Sequence, residues 1–275
     1  MSDLRLRARS VTEIVDAAFQ LYKRDALEYI LVTAIAYAPL VVAQLLLLRG
    51  LMLASTQRIT ALGTSSVVVG VLGMFAYALM SAVLSRFSSD VYLDRPTGLG
   101  MVVREVLPRL PRLIGATFLF GLVLMLGFIP VLVGSAIASI PLIAGGFLLS
   151  FGWALYAMAR FFAVFQVIVL ENRGIVAAFS RSSFLSQNRK WHVLLTLFLV
   201  FVIFIALSIA VSVVAPLSGS VAASLVLQSL FTVVAYPLIG ITQMILYYDT
   251  RIRAEGFDIE VMAGALESPT PTPAA

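Results

Sequence analysis

The chain has 275 residues, of which 61% are hydrophobic and 12% are charged. Soluble domains contain about 45–50% apolar and about 25% charged residues. A soluble fold of this length has no interior large enough for so much apolar surface, and the mean hydropathy of +1.03 indicates lipid as the solvent. A transmembrane barrel is excluded too, because its alternating strands give a weaker hydropathy signal. We therefore predict an all-α, polytopic membrane protein.

The residue counts restrict the chemistry that the chain can perform. Cysteine is absent, and histidine occurs once, at His192. Disulfides, Cys-ligated metals and sites with several His ligands are therefore excluded, and we expect no cofactor. The basic residues behind the net charge of +5 flank the apolar segments, so we expect anionic membrane lipids as partners and no nucleic acid.

The apolar runs predict six transmembrane helices within residues 26–248, after a cytoplasmic amphipathic helix in residues 1–25. A crossing helix needs about 20 residues. The apolar region from Leu113 to Leu170 therefore holds two spans, with a turn around Pro130–Pro141. The other predicted spans are Ala26–Leu48, Ser66–Ser85, His192–Val214 and Val221–Tyr248, and an outer loop, Arg49–Ser65, joins the first two.

The basic residues predict the orientation of these spans. With six spans, 16 of the 19 Lys and Arg residues lie on the side that holds both termini. Arg49 and Arg58 lie on the other side, and Arg160 lies within a span. The positive-inside rule therefore predicts that both termini are cytoplasmic. Residues 249–266 form a cytoplasmic C-terminal segment, and the Pro/Thr-rich residues 267–275 are predicted to be a disordered tail.

A threefold pattern runs along the chain. Apolar residues recur at helical spacing in Ser10–Tyr22 and in residues 99–110, which predicts interfacial helices, and Gly174–Lys190 occupies the third equivalent place. Ser10 and Glu13 form a capping-box pattern. The second, fourth and sixth spans also end alike, at Asp94, Glu171 and Asp249. We predict a pseudo-repeat of three units, each an interfacial helix followed by a transmembrane hairpin.

Three stretches carry a resemblance to a known family: residues 9–22 (RSVTEIVDAAFQLY), residues 247–258 (YYDTRIRAEGFD), and a central set of Glu171, Gly174, Ala178, Arg181, Ser182, Leu185 and Trp191. Together they resemble the bacterial membrane domain named after glycerophosphoryl diester phosphodiesterases. The resemblance implies a stand-alone membrane module in the bacterial plasma membrane. It implies no activity, since hydrolysis in the relatives belongs to a separate barrel with paired histidines.

Arg160 is the sharpest candidate for a functional residue. It lies 11 residues before Glu171, which on one continuous helix is about 16 Å inside the helix end and near the membrane midplane. An ionisable residue at that depth could bind a lipid phosphate or an anionic substrate. The alternatives are a structural pair with a carboxylate or a glutamine, or snorkelling to the interface.

Other charged residues allow two interpretations. Asp94, Glu171 and Asp249 could form a ring paired with Arg95, Arg173 and Arg251 that acts as a gate or docking surface. We favour the alternative that they anchor helix ends and interfacial helices by ion pairs. Arg86 and Asp90 are spaced to form an interfacial ion pair on one helix face.

A second basic group lies before the fifth span. Arg181, Arg189 and Lys190, with Ser180, Ser182, Ser183 and Ser186, could cradle phosphate headgroups, although positive-inside topology alone also requires basic residues there. Aromatic residues near the span ends are predicted to form an interfacial belt: Tyr22, Tyr29, Trp191, His192, Tyr247 and Tyr248.

These observations favour a non-enzymatic integral membrane protein that organises lipid or a protein partner, including a second copy of itself. A permease for a small solute, anionic or not, or for a lipid is the alternative. Arg160 and the possible repeats support transport, whereas the lack of a chain of Asp, Glu or His within the spans weakens it. A membrane enzyme ranks third, because no acid, base or metal constellation is evident.

Overall fold

A computed structural model describes residues 7–53, 58–95, 98–257 and 259 of the chain. This part of the chain is helical and contains no strand, as the composition predicted. Short 3₁₀ turns at Leu107–Arg109 and Ala215–Ser218 continue two of the helices. The helices are α1 (Val11–Arg24), α2 (Ala26–Leu53), α3 (Arg58–Tyr92), α4 (Leu99–Val106), α5 (Leu110–Leu126), α6 (Ile129–Ala136), α7 (Ile140–Phe161), α8 (Val164–Leu170), α9 (Ile175–Leu185), α10 (Lys190–Val214) and α11 (Val221–Glu255).

Within the described residues, six helical stretches are long and apolar enough to cross a membrane, in agreement with the six predicted spans. Four of them extend beyond an end of the predicted span, toward or into the polar segments. The stretches are Ala26–Leu48, Val69–Tyr92, Leu99–Leu126, Ile140–Leu170, Lys190–Ser218 and Val221–Glu255.

The six stretches form three antiparallel hairpins that meet at one end of the molecule. The hairpins are α2 with α3, α5–α6 with α7–α8, and α10 with α11, and α11 also packs on α1, α2 and α3. The last turns of α3, α8 and α11 lie together at that end, where α1, α4 and α9 join them through side-chain contacts. We call this end, formed by these six elements, the polar end.

Most of the buried core lies near the polar end. In α11, residues 240–250 are buried except for the half-buried Gln243, whereas most of residues 221–236 are exposed or half-buried. Helix α3 shows the same gradient, and α8 is buried from Val164 to Val169. The hairpins are thus packed against one another at the polar end and expose their apolar side chains along the rest of their length.

Helix α1 begins with the predicted capping box. Ser10 Oγ accepts a hydrogen bond from the Glu13 backbone N–H, and the Glu13 carboxylate accepts one from the Ser10 N–H. The hydrogen bond that Arg7 donates lowers the pKa of Glu13 to about 2. Ile14, Ala18 and other apolar residues of α1 are buried, so one face of the helix packs on the bundle.

Helix α1 contacts α11 near both of its ends. The Arg9 backbone N–H donates to Asp249 at 2.7 Å, and the Tyr22 hydroxyl donates to the Val234 carbonyl at 2.8 Å. Asp249 and Val234 are 15 residues apart, which is about 22 Å along a helix. Helix α1 therefore runs antiparallel beside the C-terminal half of α11.

One predicted connection is wrong, and a second is present but shorter than predicted. The outer loop predicted at Arg49–Ser65 is mostly helical, since α2 continues to Leu53 and α3 begins at Arg58. The turn predicted around Pro130–Pro141 is confined to residues 137–139, because both prolines occupy first-turn helix positions, where a missing N–H costs nothing.

The hairpin of α6 and α7 is held by two glycines at a close crossing. A Cβ atom on Gly146 would lie 2.8 Å from the Val131 backbone nitrogen, and one on Gly134 would lie 2.7 Å from the Ile143 nitrogen. Only residues without a Cβ allow the backbones to approach this closely.

Helix α11 extends past Tyr248, the predicted end of the sixth span, into the charged segment that follows it. The helix continues without a break to Glu255 and stops at Gly256, which has φ +68° and takes the left-handed conformation that favours glycine. The tail predicted for residues 267–275 lies outside the described residues.

Candidate functional site

The three acids at the ends of α3, α8 and α11 each tie helices together at the polar end. Of the predicted ring pairs, only that of Glu171 with Arg173 is observed among the described residues, since Asp94 pairs with Arg24 and Asp249 pairs with His192 and Arg253. Arg24 at the end of α1 lies 3.3 Å from Asp94 and also donates to the Val91 carbonyl. Asp94 remains 74% exposed, so this contact is a surface ion pair.

Asp249 is the most buried of the three acids, with a side chain that is 1% exposed. It accepts hydrogen bonds from the Arg9 backbone N–H at 2.7 Å, from Arg253 Nε at 2.8 Å, and from His192 Nε2 at 3.1 Å. Arg253 and Arg189 extend this cluster, because Arg253 donates to the Arg9 carbonyl and Arg189 to the Arg253 carbonyl. Asp249 thus joins the N-terminal segment, the start of α10 and the end of α11.

Glu171 forms the second cluster, at the end of α8. It accepts from Arg181 Nε at 3.0 Å, from Arg173 Nε at 2.8 Å and from the Tyr247 hydroxyl at 2.9 Å. The predicted pair of Glu171 with Arg173 is therefore confirmed. Arg181 also binds Glu255 with two nitrogens, so one guanidinium links α8, α9 and α11 and its pKa is raised.

The remaining predicted pairs have a mixed outcome. Arg86 lies 3.2 Å from Asp90, which confirms the pair, but Asp90 is buried and Arg86 also binds Glu105 of α4 at 2.7 Å. The pair therefore holds α4 against α3 instead of facing solvent. Arg251 lies 3.4 Å from Glu255 and 4.0 Å from the centre of the Phe257 ring.

The aromatic belt is only partly present. Trp191 is 77% exposed, as a belt residue should be, but Tyr29, Tyr247 and Tyr248 are buried in the core of the polar end. The amphipathic character of tyrosine suits either place. Here the hydroxyls of two of these rings have internal partners, since Tyr248 bonds to Ser89 and Tyr247 to Glu171.

The helix that carries Arg160 is broken just after that residue, so the continuous helix assumed for its expected depth is not observed. Helix α7 ends at Phe161, and α8 begins at Val164. The break leaves backbone groups that α9 satisfies: Ser182 Oγ accepts from the Ala163 N–H and donates to the Arg160 carbonyl, and Ser186 Oγ donates to the same carbonyl. Arg160 lies in the last turn of α7, near Lys190 at the start of α10.

Arg160 and Lys190 meet at one aromatic ring. Arg160 donates a hydrogen bond to the Tyr156 hydroxyl, and its guanidinium carbon lies 5.8 Å from the centre of the Tyr156 ring. Lys190 Nζ lies 4.7 Å from the same centre. Both cations therefore lie within cation–π distance of one ring.

Arg160 and Lys190 line a groove of about 380 Å³ between α7, α9 and the start of α10. We call it the basic groove. Its lining residues are Arg160, Ser180, Ser183, Phe184, Gln187 and Lys190.

The basic groove differs from the other basic sites in its lack of acids. Within residues 7–53, 58–95, 98–257 and 259, no carboxylate oxygen lies within 4.0 Å of a charged nitrogen of Arg160 or Lys190. By contrast, Arg181 in the adjoining cavity binds Glu171 and Glu255. The cluster predicted from Arg181, Arg189 and Lys190 is thus divided, and of the three only Lys190 lines the groove.

Sequence reasoning missed the partnership of Arg160 with Lys190 and Tyr156. The spacing of Tyr156 and Arg160 by four residues was a signal for a contact on one helix face. The approach of Lys190 depends on the break after α7, which no proline or glycine marks. Among the described residues, no group of three His, Asp or Glu side chains is placed to share a metal ion.

Comparison of the chain with protein-family models, with curated proteins and with solved structures finds no match. The resemblance to the phosphodiesterase membrane domain therefore stays a prediction.

Proposed function

We propose that the protein is a non-enzymatic module of the bacterial plasma membrane that holds anionic lipids at its polar end, with both termini cytoplasmic. The observation that carries the proposal is the basic groove, whose lining contains two cations with no carboxylate of the described residues within 4.0 Å of either. Like charges that share a groove repel each other, and an anion bound between them relieves that cost. An anionic ligand is therefore the natural complement of the groove.

The surroundings of the groove favour a ligand that comes from the membrane. Phe184 in its lining is 51% exposed, and Trp191, next to Lys190, is 77% exposed. Large apolar side chains next to cations are typical of the membrane–water interface, where rings contact the acyl region and cations contact phosphates. The groove thus combines the two chemistries that a lipid headgroup presents.

The proposal is tested by native mass spectrometry of protein released from nanodiscs that contain anionic and zwitterionic lipids. We expect wild-type protein to retain anionic lipid. Arg160→Gln and Lys190→Gln should each reduce retention about tenfold, the effect of losing one charge-assisted hydrogen bond.

Arg104→Gln is the matched control for these variants. Arg104 is an exposed cation on α4 at the same end of the molecule, so its loss should leave retention unchanged. Equal retention in all four proteins would contradict the groove as the binding site.

A permease is the second candidate, and the break between α7 and α8 is the observation that favours it. Discontinuous helices form the substrate sites of many transporters, and here the break lies next to Arg160. Flux of radiolabelled phosphate into proteoliposomes, lost in Arg160→Gln, would favour transport. Lipid retention without flux would favour the module.

A further inference from the structure

We propose that the basic groove selects a phosphomonoester, as in a lipid that ends in a bare phosphate, over a phosphodiester headgroup. This inference rests on the proposed function and names the class of ligand. It follows from the charge of the groove, from its hydrogen-bond donors and from its contrast with the adjoining cavity.

The charge of the groove matches a dianion. Arg160 and Lys190 contribute two positive charges, and the lining residues that the structure describes include no Asp, Glu or His. A phosphodiester carries one negative charge, whereas a phosphomonoester carries about −1.5 to −2 at pH 7. A monoester thus neutralises both cations, whereas a diester leaves one of them uncompensated next to apolar surface, where an unpaired charge is costly.

The donors of the groove outnumber the oxygens that a diester offers. Arg160 keeps guanidinium N–H groups beyond the one that it donates to Tyr156, and Lys190 has three N–H donors. The Ser180 and Ser183 hydroxyls and the Gln187 amide line the same space. A phosphomonoester presents three terminal oxygens that accept strong hydrogen bonds, one more than a diester.

The adjoining cavity shows what a compensated basic site looks like in this protein. It shares Ser180 and Phe184 with the groove and contains Arg173 and Arg181, but Glu255 is part of its lining. Arg181 is bound there by Glu255 and by Glu171. Carboxylates of the protein neutralise Arg181 in that cavity. In the basic groove, a bound anion would neutralise Arg160 and Lys190.

The experiment compares nanodiscs that contain either phosphatidic acid or phosphatidylglycerol at equal mole fraction, with lipid retention measured by native mass spectrometry at pH 8 and pH 5. At pH 8 we expect about tenfold more phosphatidic acid than phosphatidylglycerol to be retained. At pH 5 the second phosphate proton is bound, since its pKa is about 6, so the preference should fall to near equality. Phosphatidylglycerol retention serves as the reference for any effect of pH on the protein.

Variants assign the preference to the groove. Lys190→Gln and Arg160→Gln should each abolish the preference at pH 8, whereas Lys190→Arg should keep it because the charge is retained. These changes spare the backbone carbonyl of Arg160, to which Ser182 and Ser186 donate. Arg104→Gln again controls for the loss of one positive charge elsewhere at the polar end.

A separate arm identifies the source of the phosphomonoester. Inorganic phosphate is added to protein in phosphatidylglycerol nanodiscs, and bound phosphate is counted in the same spectra. Retention of phosphatidic acid with no bound phosphate supports a lipid ligand. Phosphate bound at the groove, and lost in Lys190→Gln, supports the same chemistry with a soluble source.

Two outcomes would overturn the inference, and they are distinguishable. Equal retention of both lipids at pH 8, reduced in Arg160→Gln, contradicts selection of the monoester but leaves the lipid-binding function standing. Retention of neither lipid, or retention that no groove variant changes, contradicts both proposals.

Discussion

Asp249 shows how much of the polar end depends on a single side chain. Its carboxylate is 1% exposed and accepts hydrogen bonds from Arg9, His192 and Arg253. A buried charge is tolerated when it is paired and hydrogen-bonded, and loss of one partner leaves the others uncompensated. Asp249 therefore links the segment before α1, the start of α10 and the C-terminal part of α11.

We predict that Asp249→Asn lowers the stability of the protein by about 3 kcal/mol, because it removes the buried carboxylate that Arg253, His192 and the Arg9 N–H share. The measurement is thermal unfolding in nanodiscs. Asp94→Asn is the matched control, since its pair with Arg24 is exposed and such pairs are worth about 0–1 kcal/mol. Equal losses in the two variants would show that burial of Asp249 does not matter.

For single residues, the sequence predicted which charged side chains form ion pairs better than it predicted which side chains are buried. The three acids and the Arg86–Asp90 pair were visible from spacing, and the Glu171–Arg173 pair was found as expected. The burial of Tyr29 and Tyr247 was not predicted, because the amphipathic character of a tyrosine suits a membrane interface and a protein core equally well. That distinction depends on which elements pack above the ring.

Among the elements, α7 and α8 depart most from their predicted form. The sequence around the break contains neither proline nor glycine, so local propensity predicts one continuous helix. Hydroxyls of α9 satisfy the backbone groups that the break exposes, and these residues are about 20 positions away along the chain. A break that is stabilised by a distant element leaves no local signal.

The hairpin of α6 and α7 offers a test of close packing with adjacent glycines. A Cβ on Gly146 would meet the backbone of Val131, which cannot rotate away, whereas one on Gly145 meets nothing within 4 Å. We predict that Gly146→Ala destabilises the protein by about 1–3 kcal/mol through overpacking. Gly145→Ala should be neutral or stabilising, since alanine favours a helix by about 1 kcal/mol over glycine.

Thermal unfolding in nanodiscs measures both glycine variants under the same conditions. If Gly146→Ala were as stable as wild type, the two helices would have to separate without cost, contrary to the crossing that the structure shows.

Over the whole molecule, element order follows the predicted plan. Helices α1, α4 and α9 each precede a hairpin, and six apolar stretches agree with the six predicted spans. Hydropathy succeeds here because lipid imposes a minimum length on every crossing. Whether the three units are true repeats stays a prediction, and so does their orientation in the membrane.

The absence of cysteine from the sequence makes the orientation directly testable. We predict that a membrane-impermeant maleimide labels Ser218→Cys in intact cells, because Ser218 is exposed at the end opposite the polar end. Arg104→Cys, exposed on α4, should be labelled only after the cells are permeabilised. The reverse pattern would place the polar end outside the cell.

The uneven burial of α3 and α11 has a consequence for how the protein behaves outside a bilayer. Near the polar end the helices hold one another through side chains of the protein, whereas farther along each hairpin the neighbours are acyl chains. Amides in that outer part depend on the surrounding amphiphile for their order. On transfer from bilayer to short-chain detergent, hydrogen exchange should therefore accelerate in residues 221–236 and stay slow in residues 241–250.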